Sequence, residues 1–261
     1  MKIGLSTITF RHFPLERVLN EAKKHGFDYV DVAGIPGWAP HLDFKLMTEN
    51  EVRSLREMLE CLGLKIASFN VGSNLSNPND SERSVEFVRA AIRVASKVEV
   101  PIITTGVGSS KGTRELSIRN IMKLSRFAED NEVTFTLELP HLGTLAEKWT
   151  DTLFYLNAMP EVFLTLDTSH LHISRGKIMD LQPFVDRIKH IHLRDAKGSD
   201  ISYVPGEGEF NFKEFFNLMK PRYRGAYVLE LEILETCFDI IAQRVDDSKA
   251  FVAKVYESTI Q

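Results

Sequence analysis

Eight short runs of β-branched and apolar residues recur along this chain, each bounded by turn-forming residues and each followed by a stretch with helical spacing. The predicted strands are Lys2–Phe10, Tyr29–Gly34, Lys65–Gly72, Pro101–Gly108, Val133–Pro140, Val162–Ser169, Ile188–Ala196 and Gly225–Glu232. Predicted helices run over Pro14–His25, from Thr48, and over Ser81–Val98, Leu116–Asp130, Thr144–Ala158, Pro183–Arg187, Phe212–Met219 and Asp239–Ser258. Thr48 with Glu51 three residues on is a capping-box pair, and Val85, Val88, Ala91, Ile92 and Ala95 make one apolar face. Parallel neighbours require right-handed crossovers, so eight strand–helix units in series predict an α/β fold, a closed (β/α)8 barrel, as one domain over residues 1–261. An open doubly wound sheet would carry a glycine-rich turn after its first strand. The turn here is Arg11-His12-Phe13-Pro14.

Composition narrows the partners. A hydrophobic content of 43% excludes a disordered chain, and a net charge of -4 argues against a nucleic-acid-binding surface. No apolar run approaches the ~18–20 residues that span a bilayer, so no membrane partner is expected. Cys61 and Cys237 stand alone and read as buried thiols of a reducing compartment. The N-terminal MKIGLSTITF lacks a secretory pattern, and a cytoplasmic protein is expected.

In a closed barrel, chemistry sits at the C-terminal ends of the strands. Late in the first four predicted strands the polar residues are uncharged: Thr7, Thr9, Asn70, Thr104 and Thr105. The last four carry Glu138, Asp167, His170, His190, His192, Glu230 and Glu232, with His141 and His172 nearby. Carboxylates crowded at one barrel mouth repel unless a cation or shared protons intervene. Carboxylates plus an imidazole suit one divalent metal ion, Mn2+, Mg2+, Co2+ or Zn2+. The strand period of two puts His190 and His192 on one face, and Glu230 and Glu232 on one face, without choosing within either pair.

The segments Thr136-Leu137-Glu138, Leu166-Asp167-Thr168-Ser169-His170, His190-Ile191-His192-Leu193-Arg194-Asp195, Val204-Pro205-Gly206-Glu207-Gly208 and Gly225 to Glu230 resemble the xylose isomerase-like TIM-barrel superfamily, in order and spacing over essentially the whole chain. That group includes sugar isomerases and epimerases, inosose and dehydroshikimate dehydratases, and the endonuclease IV branch. The resemblance implies a single TIM barrel in which Glu138, Asp167, His192 and Glu230 ligate one divalent metal, while His170 contacts a substrate oxygen. Within the two open pairs it selects His192 and Glu230, leaving Glu232 as the alternative ligand. It also implies proton abstraction next to a carbonyl, with Glu138 and Glu230 as the two bases of a sugar isomerase or epimerase. A dehydratase is the alternative and a DNA-repair nuclease the less favoured one. The nuclease branch needs further zinc-binding histidines where this chain has Asn70, Thr104-Thr105 and Ser202. Ketose 3-epimerases carry a glutamate and an arginine where this chain has Thr144 and Gly198.

Secondary substrate contacts are expected from Arg194, Lys197 and His141. The segment Ile35-Pro36-Gly37-Trp38-Ala39-Pro40-His41 is expected to form a cover, with Trp38 as a flat surface for a carbohydrate-like small molecule. Glu207 is expected to bond to backbone or to a pocket group, and Phe10, Phe13 and Phe69 to lie in the core. A homodimer or homotetramer is compatible with such a barrel.

Overall fold

Every predicted strand exists, and almost every one stops short of its apolar run. The computed structural model describes residues 1–259. The barrel strands are β1 (Ile3–Ser6), β2 (Tyr29–Gly34), β3 (Lys65–Val71), β4 (Ile102–Thr105), β5 (Thr134–Glu138), β6 (Phe163–Asp167), β7 (Ile188–Leu193) and β10 (Tyr227–Leu229). They close in the order β1-β10-β7-β6-β5-β4-β3-β2 with every pairing parallel. The runs overshoot because the residues past each strand turn inward or cap the next element while remaining buried. After β1, the Ser6 hydroxyl accepts the Ile8 amide and starts a 3-10 turn over Thr7–Phe10.

Outside the sheet lie α1 (Leu15–Lys24), α2 (Glu49–Leu62), α3 (Ser81–Lys97), α4 (Arg114–Glu129), α5 (Trp149–Ala158), α6 (Thr168–Ile173), α7 (Phe212–Met219) and α8 (Phe238–Glu257). The capping box of Thr48 and Glu51 forms, and α2 ends at Gly63 in the left-handed conformation (φ 61°), which glycine adopts without steric cost. The helix expected from Thr144 begins only at Trp149, because the Thr144 hydroxyl bonds to the His141 carbonyl in a turn. A longer 3-10 segment, Ile178–Arg187, replaces the short helix expected at Pro183. Among the described residues, no helix is long and apolar enough to cross a membrane.

Two expectations are corrected. The predicted seventh strand breaks at Arg194, and β8 (Asp195–Lys197) pairs antiparallel with β9 (Asp200–Tyr203) in a separate hairpin. Asp195 anchors the hairpin and the turn beyond it: its carboxylate accepts the amides of Ala196, Gly206, Gly208 and Phe210 at 2.8–3.0 Å. A Cβ on Gly208 would stand 2.3 Å from Asp195 Oδ1, so glycine is required for that approach. Both cysteines are exposed rather than buried. Cys61 lies off the Val52, Leu55, Leu59 stripe that α2 buries, and Cys237 precedes α8.

The core has two layers. Strand exteriors pack on helix faces such as Val18, Leu19 and Ala22 of α1. The interior is partly polar: the hydroxyls of Thr104, Thr136 and Thr165 lie 2.8–3.0 Å from one another, all buried. Thr136 precedes Glu138 by two residues and Thr165 precedes Asp167 by two, so this ring lies on the inner face, beneath the mouth. Phe10 and Phe69 are buried in the core, with Phe13 half-buried against it.

Candidate active site

Glu138 ends β5, Asp167 ends β6, His192 lies near the end of β7, and Glu230 follows β10. Each offers one ligand atom, and those four atoms all lie within 4.8 Å of one another. All four residues are buried. His192 Nδ1 faces the carboxylates, 3.2 Å from Glu138 Oε1 and 3.5 Å from Glu230 Oε2. The structure thus brings together the four residues of the expected ligand set. His190 lies deeper, on Ser68 (3.0 Å) and Asp31 (3.1 Å).

Three buried carboxylates around one imidazole need positive charge, and the proton affinities reflect it. Burial raises Glu230, His192 opposes the rise and Glu138 adds to it, leaving Glu230 pushed up to about 8. Burial acts the same way on Glu138, but the bond to His192 and the nearby His141 outweigh it and hold Glu138 at about 2. His192, disfavoured as a cation by burial, is nonetheless raised well above its ordinary value by Glu230, Asp31 and Glu138. The metal-free cluster therefore retains protons where an oxygen-rich set with one nitrogen donor would hold a divalent cation. The donor chemistry fits such an ion.

Asp167 is fixed from three directions. Its Oδ1 accepts the Ser169 amide (2.7 Å), the Ser169 hydroxyl (2.6 Å) and the His170 amide (3.0 Å), so it caps α6. Its Oδ2 accepts from Arg194 at 2.8 Å. Burial would raise its pKa, yet the charges of Arg194 and His192 and the bond from Ser169 hold it well below the carboxylate range.

Arg194 is not the rim contact expected. It is fully buried and pairs with Asp167 and Glu232, while also donating to Ser169 Oγ (2.9 Å) and His170 Nε2 (3.1 Å). Two carboxylates and a hydroxyl satisfy its planar fork, which is why a guanidinium survives there. The two His170 ring nitrogens face donors from opposite sides, Nε2 the Arg194 guanidinium and Nδ1 the Leu142 amide (3.5 Å). Burial and neighbouring His141 hold the His170 pKa down to about 3, so the ring is neutral.

Above the cluster is a cavity of about 520 Å3 whose lining includes Trp38, Asn70, Glu138, His141, His170, Glu230 and Glu232. Its size is that of a small-molecule site. Trp38 stands at the rim, 40% exposed, on a loop closed by the Ile35–Ala39 backbone bridge. His141 is half-exposed with its ring 4.3 Å from that of His170. Lys197 does not line the cavity; it is exposed on β8, because the hairpin turns its chain away from the mouth. His41 braces Thr7 and the Phe13 carbonyl instead of entering the cavity. Glu207 pairs with Arg244 of α8 at 2.6 Å, so its partner is neither backbone nor a pocket group.

The sequence reading missed Asp31. Fully buried in β2, its Oδ2 faces Nε2 of His190 (3.1 Å) and of His192 (3.5 Å) and accepts from Ser68, while Oδ1 accepts from Ser6 (3.3 Å). Ser6 also donates to Glu230 Oε2 (3.1 Å), as Asn70 does at 3.4 Å. The available signal was an acid inside the apolar run Tyr29–Gly34.

Comparison with known proteins agrees with this picture. The family model described as xylose isomerase-like TIM barrel matches residues 19–251. A fructoselysine 3-epimerase of Shigella flexneri is 20% identical over 251 residues, covering 88% of this chain and 90% of its own length. An inosose dehydratase of Clostridium botulinum (strain Eklund 17B / Type B) is 25% identical over 221 residues, covering 70% and 74%. A crystal structure described as IOLI protein with a binding zinc atom superposes with a TM-score of 0.83 at 17% identity, covering 100% of both chains.

Proposed function

The chain belongs to the xylose isomerase-like TIM-barrel family, and from that premise we propose that it is a divalent-metal-dependent isomerase or epimerase of a sugar-like carbonyl compound. The observation that carries this reading is the convergence of Glu138, Asp167, His192 and Glu230 within 4.8 Å beneath a cavity of small-molecule size. These four residues would hold the ion, His192 through Nδ1. When bound, it supplies Lewis-acid stabilisation of negative charge developing on a substrate carbonyl oxygen.

The remaining chemistry belongs to the chain. Glu138 and Glu230 both line the cavity, from strands separated by β6 and β7. One carboxylate takes the proton from the carbon beside the carbonyl and the other returns a proton. Return to the opposite face of the same carbon gives epimerisation, and return to the neighbouring carbon gives isomerisation. His170 lines the cavity and contacts a substrate oxygen, Asn70 and Ser6 orient Glu230, and Trp38 offers an apolar face to the sugar ring. The inosose dehydratase relative supports a second reading, in which the abstracted proton is followed by loss of a neighbouring hydroxyl as water. We place the protein in the cytoplasm, where its two exposed free thiols would persist.

The test uses metal-loaded protein with ketoses, keto acids and inososes in deuterated water. Deuterium at carbon without change of formula indicates isomerase chemistry, and a product lighter by one water indicates dehydration. Glu138→Gln and Glu230→Gln are each expected to lower exchange ~10²–10⁴-fold. Full exchange in both variants at full metal content refutes the two-base mechanism.

A further inference from the structure

Beside the reaction cavity lies a larger one of about 670 Å3, formed by the loops after β2 and β3 and the first turns of α3. Ile35, Gly72, Ser73 and Asn74 line both chambers, so the two adjoin across a shared wall. That wall is held from each side. Asn74 Oδ1 accepts the Ser109 amide (3.1 Å) in the reaction chamber, and its Nδ2 donates to Asp80 Oδ2 (3.4 Å) in the second. The Ser73 and Thr105 hydroxyls are 2.7 Å apart. A Cβ on Gly72 would approach Ile35 Cγ2 to 2.6 Å, so the two loops can pack this closely only at a glycine.

The chambers differ in charge. Among the described residues, no lysine or arginine lines the reaction cavity, whose ionisable groups are Glu138, Glu230, Glu232, His141 and His170. A substrate anion placed there would meet carboxylates and no cationic side chain of the lining. The second chamber contains Lys45 and Arg83, both exposed, facing apolar Ile35, Pro36, Leu46 and Phe87. Its two acids, Asp80 and Asp43, accept from the neutral Asn74 side chain and the Lys45 amide (3.2 Å), so this lining sets two cations against two carboxylates where the reaction cavity offers carboxylates without a lysine or arginine. Leu46 is 74% exposed, a large apolar side chain left uncovered at the edge of a cavity.

We propose, building on the isomerase reading above, that the substrate is a ketose or keto-polyol joined to an extended, anion-tipped substituent. The sugar part lies over Glu138 and Glu230. The substituent crosses Ile35 and Gly72 into the second chamber, with its apolar stem on Leu46 and Phe87 and its anionic end at Arg83 and Lys45.

The test compares D-fructose, D-fructose 6-phosphate, and the 1-amino-1-deoxy-D-fructose derivatives of 6-aminohexanoic acid and of 5-aminopentyl phosphate. Binding to the metal-loaded protein is measured by calorimetry, and deuterium exchange at carbon by mass spectrometry. At least one derivative is expected to bind tenfold or more tightly than D-fructose; which one gains identifies the anion as carboxylate or phosphate. D-Fructose 6-phosphate, whose anion is carried on the sugar itself, should show no such gain, and a gain equal to that of the derivatives overturns the proposal. Arg83→Gln combined with Lys45→Gln should remove most of the gain, and Arg83→Lys should keep it. If neither derivative outbinds D-fructose, or the double variant keeps the full gain, the proposal is overturned. Tight, Arg83-dependent binding without exchange in any compound would uphold the second chamber and reject the isomerase reading.

Discussion

Replacing Asp31 by Asn tests whether the polar layer under the cavity governs metal binding. The change nearly preserves shape: the Asn carbonyl oxygen can take the place of Oδ2 before His190 and His192, with the amide toward Ser6. What is lost is one negative charge 3.5 Å from His192 Nε2. Across the imidazole that charge lies ~6 Å from the Nδ1 side, where an effective dielectric of ~20 gives about 3 kcal/mol per unit charge. It also fixes the proton on Nε2, which frees Nδ1 to donate its lone pair to a cation. For a divalent ion that Coulomb figure doubles to about 6 kcal/mol, an upper bound; outer partners of metal-binding histidines are typically worth ~10–100-fold in affinity, about 1.4–2.8 kcal/mol, which is the loss expected here. The assay is competition for Mn2+ or Zn2+ against a chelator of known affinity, with the histidine tautomer read from ring-nitrogen chemical shifts. Wild-type affinity within twofold, together with an unchanged tautomer, would refute the argument.

Two further outcomes concern the same cluster. Glu230 is raised to about 8 and His192 is also raised, so their contribution to folding is complete below their unfolded values and is lost as pH climbs through the folded ones. Glu138, held at about 2, contributes above its unfolded value and loses this as pH falls. The chelator-treated protein should therefore melt at progressively lower temperature from pH 5 to pH 9, while the metal-loaded protein resists this alkaline loss; a metal-free melting temperature that rises over that range contradicts the assignment. Arg194→Met leaves Asp167 and Glu232 without their cation, and breaking a buried pair in this way costs ~3–5 kcal/mol, measurable by urea unfolding. A loss under ~1 kcal/mol would show that Asp167 does not depend on Arg194.

The barrel was legible because alternating strand and helix periods persist from Ile3 to Glu257, and few other closed folds accept eight such units. The cluster of Glu138, Asp167, His192 and Glu230 was legible because strand-end charge marked the region and the resemblance to the family chose within each pair that the strand period left open. The strand ends themselves were not: Thr7–Phe10 is as apolar as a strand, yet the Ser6 hydroxyl turns it into a 3-10 helix. Arg194 and Lys197, three residues apart, both read as secondary substrate contacts. One is fully buried and the other exposed, because Asp167 and Glu232 compensate the first and nothing calls the second inward. Asp31 escaped notice because its partners come from β1, β3 and β7, far away in sequence, and an isolated acid in an apolar run carries no record of them.

The turn gathered by Asp195 has a practical meaning for redesign. One carboxylate captures four amides between Ala196 and Phe210, so the path of this rim segment is set chiefly by Asp195 and Gly208, with Glu209 adding the Gly198 amide and Glu207 a pair to Arg244. Position 197, exposed beside the captured Ala196 amide, could be varied widely without rerouting the loop, whereas Glu209 holds the Gly198 amide (3.1 Å) and must stay. A library at position 197 on an unchanged backbone trace, with Asp195, Gly208 and Glu209 left untouched, would sample new surface chemistry on the hairpin while the Glu138, Asp167, His192 and Glu230 cluster stays in place.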